Sequence, residues 1–495
     1  MPAPPDSGTD VNFLLLPSGL RRTIHGISGP VRPASREPVA AGARTPCPMP
    51  LPDPNDIPAA PHRLAGRFRL LGPVARTLRW WMWAAVAGAL AAAATVAFRA
   101  LVQGVEHLAT GHAGGLVEAA RSLSPWHRVV VCTAGGVLAG LVLEWGGRWA
   151  AAGPRGDAHL DYIDAARAGR VDLNDRTTLV RSASALLSVG SGASIGREGP
   201  MVQMAAWLAA WLARVVPIAP EQRSALMVCG IAAGIGSAYH APVAGVVFVL
   251  ELALGFFARH AVAPVLIAAG TASALIQLLV DPKPLYDVPA VAVEPTSLGL
   301  ALVAAVLFGA VGWTLLHLLE GSRRAFGRVR SLPARLGLGG LLVGGLSACV
   351  PEVWGNGYSV VSSVLQGGHL WQWIVVVMLT KIVATALSSG SGAIGGVFTP
   401  SLFVGATAGS VLAQLAALAL PAAWVGDPRA LAIIGMAAML AAVTHAPLMV
   451  IVMVLEMTNQ FQMTVPVMLA CAVAYAVSTQ FGGRPLYGNP IEGQR

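Results

Sequence analysis

Gly190-Ser-Gly-Ala-Ser-Ile-Gly-Arg-Glu-Gly-Pro200 returns later in the chain as Gly390-Ser-Gly-Ala-Ile-Gly-Gly-Val-Phe-Thr-Pro400. The Gly-Ser-Gly-Ala run, the next glycine (Gly196, Gly396) and the closing proline keep their places at a constant offset. A second block follows each copy. Gly230-Ile-Ala-Ala, His240-Ala-Pro and Val249-Leu-Glu251 recur as Gly435-Met-Ala-Ala, His445-Ala-Pro and Val454-Leu-Glu456, with the same internal spacing. Two blocks repeating in one order identify a duplication.

The copies lie in a chain built for lipid. Of its 495 residues 55% are hydrophobic and 12% charged, with a mean hydropathy of +0.65, whereas soluble domains carry about a quarter charged residues. Between Arg429 and Arg484 the only charged residue is Glu456, and between Arg223 and Arg259 it is Glu251. A span needs roughly 20 apolar residues, so each interval holds more than one crossing or re-entrant piece. About ten to twelve apolar segments run from Trp80 to Phe481 by that window. The fold class expected is an all-α polytopic membrane protein.

The net charge of +9 comes from arginine, with lysine only at Lys283 and Lys381. In this setting it reads as positive-inside topology rather than as a nucleic-acid surface. Arg63, Arg67, Arg69, Arg76 and Arg79, and mid-chain Arg323, Arg324, Arg328, Arg330 and Arg335, are expected to face the cytoplasm. Residues 1–72 hold 14 of the 35 prolines and bury too little apolar surface to offset ordering entropy. They are expected to form a disordered cytoplasmic arm, or to derive from an over-extended start. Residues 73–487 are expected to form the membrane domain, in halves of roughly 73–285 and 286–487. A short tail, 488–495, without a C-terminal regulatory (CBS) domain, is expected to follow. The five cysteines are scattered without CxxC spacing, so no metal site or disulfide framework is expected, and no cofactor.

Gly/Pro-interrupted apolar segments at matching places in two halves point to a transport site. Glycines permit close backbone approach, and Pro200 and Pro400 suit the first turn of a helix. Each segment then opens into a helix N-terminus whose free N–H groups and dipole favour an anion. The competing reading, that these glycines only let helices pack closely, is outweighed by the duplication and by Glu198. From Ser182 to Ala213 the charged residues are Arg197 and Glu198, and an intramembrane ionisable group is functional by default. A carboxylate at helix N-termini mimics an anion: charged, it occupies the site; protonated, it can swing away. Its counterpart in the second copy is Phe398.

Gly196-Arg-Glu-Gly-Pro200, Gly396-Val-Phe-Thr-Pro400 and Pro485-Leu-Tyr487-Gly resemble three anion-site signatures of the CLC chloride channel and transporter family. The resemblance covers about Trp80 to Tyr487. Val353-Trp-Gly-Asn-Gly-Tyr358 with Ser388-Ser-Gly-Ser-Gly-Ala is similar to the bacterial ClcB-type branch. The resemblance implies two inverted repeats of broken, tilted helices and a homodimer with one pathway per subunit in the bacterial inner membrane. It implies chloride as substrate and Glu198 as the gate. Anion contacts would come from Arg197, Glu198, Gly199, Val397 and Phe398, with the Tyr487 hydroxyl donating to the anion.

Two departures stand. The family's Gly-Ser-Gly-x-Pro loop has no good match; the nearest stretch is Gly153-Pro154-Arg-Gly-Asp157, and a proline there is associated in the family with nitrate. Proton-coupled members carry a glutamate just after Val-Leu-Glu, where this chain has Leu252. Glu251 lies one residue off, about 100° around a helix, and its twin Glu456 favours a shared structural role over a proton relay. His240 and His445, also twins, suit a capping role. Both channel-like and proton-coupled chloride movement stay open, as does transport of another small anion such as nitrate. An intramembrane enzyme is the remote alternative, because no apolar segment carries a His-Glu-x-x-His, Ser/Lys or paired-Asp cluster.

Overall fold

The computed structural model describes residues 62–112, 114–152, 161–253, 261–280, 283–483 and 485–486, with side chains from 75 onward. The chain divides into a unit over Met1–Ala65 and a unit over Gly66–Arg495, and the second carries every candidate membrane span. Most of the expected arm, 1–61, lies outside the described residues, as do Gly153–Asp157 and Tyr487. The first helix, His62–Thr110, begins within the stretch assigned to the arm. Pro61 is the last proline before it, and Leu64, Phe68 and Leu71 follow at helical spacing.

Among the described residues nine helices are long and apolar enough to cross a membrane, and two shorter apolar helices, Pro242–Glu251 and Pro447–Thr458, accompany them. No extended strand is present among these residues; the pairing outside helices is a single bridge between Gly196 and Gly396. The fold is all-α and polytopic.

Local chemistry writes the same turn twice. Helices Asp175–Gly190 and Trp371–Gly390 both end before a glycine in left-handed conformation, Gly192 at φ 96° and Gly392 at φ 89°. In each, the next N–H closes the end: Ala193 donates to Ser188 O at 3.0 Å, and Ala393 to Ser388 O at 3.2 Å. This is the Schellman closure, which needs a residue without a Cβ penalty. The chain then runs through the bridge, Gly196 N to Gly396 O at 2.7 Å and Gly396 N to Gly196 O at 2.8 Å. The bridge is antiparallel, so the helices that follow it, Glu198–Val215 and Phe398–Ala419, leave in opposite directions. The two repeats are therefore inverted, related by a pseudo-two-fold axis through the bridge.

Small residues let each helix press against the next one in its repeat. A Cβ on Gly405 would enter the carbonyl of Gly435, and in the first repeat a Cβ on Gly230 would meet Ala205 and Ala209. Apolar burial does not drive such contacts in lipid, so close van der Waals packing must. The helices Pro220–Tyr239 and Pro428–Thr444 thereby form a buried centre. Each ends in a left-handed histidine, His240 (φ 55°) and His445 (φ 56°), before the Ala-Pro that starts the next helix.

The candidate anion site

Both helices that leave the bridge start at its edge. The first intrahelical bonds run from Met201 N to Arg197 O and from Ser401 N to Val397 O. The N–H groups of Glu198, Gly199, Phe398 and Thr399 precede those bonds, and Pro200 and Pro400 have none to offer. Free donors from two helix N-termini thus converge on one place, where partial positive charge favours an anion.

A small space lies there. A cavity of about 20 Å³ is lined by Tyr162, Glu198, Gly199, Tyr239, Gly396 and Phe398, among others; that is room for about one water-sized particle. An outer cavity of about 200 Å³ adjoins it and shares Glu198 and Tyr239. An inner cavity of about 370 Å³ shares Tyr162, Gly199 and Gly396. Three spaces therefore follow one another, with Glu198 and Tyr239 at one junction and Tyr162 with the bridge glycines at the other.

The walls carry a positive bias. Arg99, Arg197, His240 and Lys283 line the outer cavity, and Glu198 is its one carboxylate among the lining residues. Arg99 donates to Ala238 O at 2.9 Å, at the carbonyl end of the helix Pro220–Tyr239. Arg181 and Arg323 line the inner cavity with Asp161 as the acidic member. No lysine or arginine lines the small central space. A site made of amides and apolar rings can hold an anion without the tight grip of a fixed cation.

Of the residues expected at the site, Glu198 is buried, 6% exposed, and lines both the central and outer spaces. Its Oε1 accepts from Asn356 Nδ2 at 2.7 Å, and its Oε2 has no hydrogen-bond partner. Phe398 and Gly199 line the central space, Val397 the inner cavity, and Arg197 the outer cavity. The Phe398 ring lies 5.0 Å from that of Tyr239. Glu251 belongs to none of these three cavities. Its carboxylate accepts from Leu448 N at 3.3 Å and Met449 N at 2.8 Å, at the start of the helix Pro447–Thr458.

Sequence reasoning missed Tyr162, Tyr239 and Asn356. Tyr162 follows the segment where no loop signature could be aligned. Asn356 sits in the quoted Val353–Tyr358 motif but reaches Glu198 through the tertiary fold. Lys381 was missed as well: it is fully buried and donates to Val353 O at 2.9 Å and Gly355 O at 2.7 Å. Its signal was available, since it is one of two lysines and sits in an apolar span at the position that matches Arg181 in the first repeat.

Comparison with known proteins agrees with this arrangement. The profile of the voltage gated chloride channel family matches residues 135–479. A chloride channel protein described as ClcB-like from Ralstonia nicotianae is 45% identical over 422 residues, covering 83% of this chain and 96% of the relative. The voltage-gated ClC-type chloride channel ClcB of Salmonella dublin is 39% identical over 404 residues, covering 80% and 94%. Among solved structures, a slow cyanobacterial Cl−/H+ antiporter superposes with a TM-score of 0.73 at 23% identity, over 83% of this chain and 96% of that one. A CLC-type fluoride/proton antiporter gives 0.67 at 25% identity, over 82% and 96%. With most of its membrane domain matched by the profile and its bridge, paired helix starts and buried glutamate in place, this chain belongs to the voltage gated chloride channel (CLC) family.

Proposed function

We propose that this protein moves chloride across the bacterial inner membrane, as a homodimer with one Glu198-gated pathway in each subunit. The observation that carries the reading is the buried Glu198 carboxylate at the junction of the outer and central cavities, beside two helix N-termini. The relatives named as chloride channels support chloride as the substrate. The anion crosses unchanged, so the role assigned is transport and not catalysis.

The mechanism follows from charge. A charged Glu198 at the junction of the outer and central spaces closes the way between them and repels an approaching anion. Protonation removes that charge and frees the side chain to leave, so the outer and central spaces join. The central space then takes one dehydrated halide on the amides of Val397, Phe398 and Gly199, with the cost of dehydration offset by their dipoles. The inner cavity carries Arg323, from the cluster that positive-inside topology assigns to the cytoplasm, so Glu198 faces the outer side. Tyr487 is assigned as a further donor by its motif, and Arg197 as part of the outer electrostatic funnel.

Whether the movement is channel-like or coupled to protons turns on the relay. Leu252 at the relay position favours uncoupled conduction, and Glu251, engaged with two backbone N–H groups, supports the same side. The test is the reversal potential of purified protein in liposomes under a chloride gradient, with and without an opposing pH gradient. Uncoupled transport holds the reversal at the chloride value in both. A shift with pH establishes coupling through another group. No chloride flux in either condition, with flux of nitrate, would move the assignment to that anion. Glu198→Gln should conduct chloride with much less dependence on pH than wild type, since the ionisable side chain of the gate is gone.

A further inference from the structure

Asn356 stands between two glycines in left-handed conformation, Gly355 (φ 68°) and Gly357 (φ 89°). Its Oδ1 accepts the N–H of Tyr358 at 3.2 Å. A backbone N–H needs an acceptor, so this bond fixes which way the amide faces. Nδ2 is thereby turned to Glu198 Oε1 at 2.7 Å. Among the described residues Asn356 is the hydrogen-bond partner of that carboxylate, since Oε2 has none.

The loop that carries Asn356 is itself anchored. Lys381, from the span Trp371–Gly390, donates to the carbonyls on either side of Trp354, those of Val353 and Gly355. Its Nζ lies 5.6 Å from the centre of the Phe403 ring, and the same ring blocks any Cβ at Gly357. Arg121 holds the start of the loop through Glu352 at 2.8 Å. A fully buried amino group is a costly element unless its hydrogen bonds hold something in place. Here it holds the backbone that aims one amide at the gate.

We propose that Asn356 is the latch of the Glu198 gate. Its amide favours the charged carboxylate in the blocking position and so sets how acid the outer side must become before the gate releases. Asn356 is a positioning residue that acts through Glu198, and this inference rests on the gating reading above. The groups facing the carboxylate are Arg99 from the first helix, Arg197 beside it, His240 and Lys283 around the outer cavity, and Tyr358 at the loop's end. Lys381 lies behind the loop. Substitution of Asn356 leaves all of these charges in place.

The experiment is chloride efflux from liposomes containing the full chain, measured across pH for wild type, Asn356→Leu and Asn356→Asp, each also in a Glu198→Gln background. Loss of a donor to a charged acceptor shifts the balance of held and released gate by about tenfold. Flux at neutral pH should rise by about that factor, and the pH of half-maximal flux should move up by about one unit. Asn356→Asp, close in shape and still able to accept from Tyr358, should move it at least as far, and it decides the matter if the leucine variant fails to fold. In the Glu198→Gln background both should change flux less than about twofold, which a merely structural role for Asn356 would not produce. A wild-type pH profile in Asn356→Asp, or an equal change in both backgrounds, overturns the latch and leaves the Glu198 gate standing. Absence of chloride flux from wild type and Glu198→Gln alike overturns both.

Discussion

Glu251 Oε2 accepts the N–H of Met449 at 2.8 Å, and the pseudo-two-fold returns the same bond as Ala244 N to Glu456 Oε2 at 2.8 Å. The second oxygens match too, Leu448 N at 3.3 Å and Val243 N at 3.1 Å. Each carboxylate thus caps a helix of the opposite repeat: Glu251 caps Pro447–Thr458 and Glu456 caps Pro242–Phe248. Both helices begin with proline, so two of the orphan N–H groups in each first turn are taken up by one bidentate acceptor.

Equal geometry predicts equal cost. Glu251→Gln and Glu456→Gln should each destabilise the protein by about 1–2 kcal/mol, because a charged acceptor at a helix N-terminus is exchanged for a neutral one. Thermal unfolding of purified protein in detergent checks this. Neither substitution should alter the ratio of chloride to proton movement in liposomes. If Glu251→Gln alone changed that ratio, Glu251 would be a relay and its symmetry with Glu456 incidental.

Lys381 gives a second prediction. Replacing it with methionine removes the donors to Val353 O and Gly355 O and also removes a fully buried polar group. The two effects on stability oppose each other: orphaned carbonyls cost about 1–3 kcal/mol each, while an apolar side chain of similar volume avoids the desolvation of an amino group. The variant should therefore remain folded, with the Asn356 loop less firmly set. Chloride flux at neutral pH should rise in the same direction as for Asn356→Leu but by less. The double variant should show no more than Asn356→Leu alone, since both act through one contact.

The twin turns should respond unequally to one substitution. Alanine at Gly192 or Gly392 meets the same left-handed penalty of about 1–2 kcal/mol. At Gly192 the new Cβ would also run into the Trp354 ring, whereas at Gly392 it meets the guanidinium of Arg335. Trp354 is fully buried and cannot withdraw, while half-buried Arg335, although bonded to Ser391 O at 2.9 Å, is the flexible end of a long side chain that can give way. Gly192→Ala should lower the thermal midpoint further than Gly392→Ala, and should disturb the Asn356 loop that Trp354 belongs to.

What could be read before folding was what repeats or what stands alone. The twin glycine segments and their equal spacing define the duplication, and Glu198 is conspicuous because so few charges surround it. The direction of the second copy could not be read, because a count of apolar segments does not fix parity; the antiparallel Gly196–Gly396 bridge does. Tyr162 and Asn356 were not legible as site residues, since nothing local marks a tyrosine after a poorly matching loop or an asparagine between two glycines. Their roles arise from contacts with residues 41 and 158 positions away, Gln203 and Glu198. Lys381 is the instructive case. A lone lysine in an apolar span needs a partner, and its partners are carbonyls, which sequence does not display.

Tyr162 supplies the last prediction. It lies in the wall of both the central and inner cavities, is 5% exposed, and begins a short helix, Tyr162–Arg167. Its N–H is shared between Asp161 Oδ1 at 2.7 Å and Gln203 Oε1 at 3.2 Å, which fixes the backbone at the inner junction. The side chain is then a wall of the constriction. Once the outer gate is removed by Glu198→Gln, that constriction should dominate. In this background Tyr162→Ala should raise chloride efflux from liposomes several-fold, because the central space of about 20 Å³ would open into the inner cavity. Tyr162→Phe keeps the ring and should leave flux within about twofold, since one uncharged hydrogen bond is worth at most about 0.5–1.5 kcal/mol net. If the phenylalanine variant instead lost chloride flux while keeping nitrate flux, the hydroxyl would be a selectivity donor in its own right, and the junction would filter anions by hydrogen bonding rather than by size.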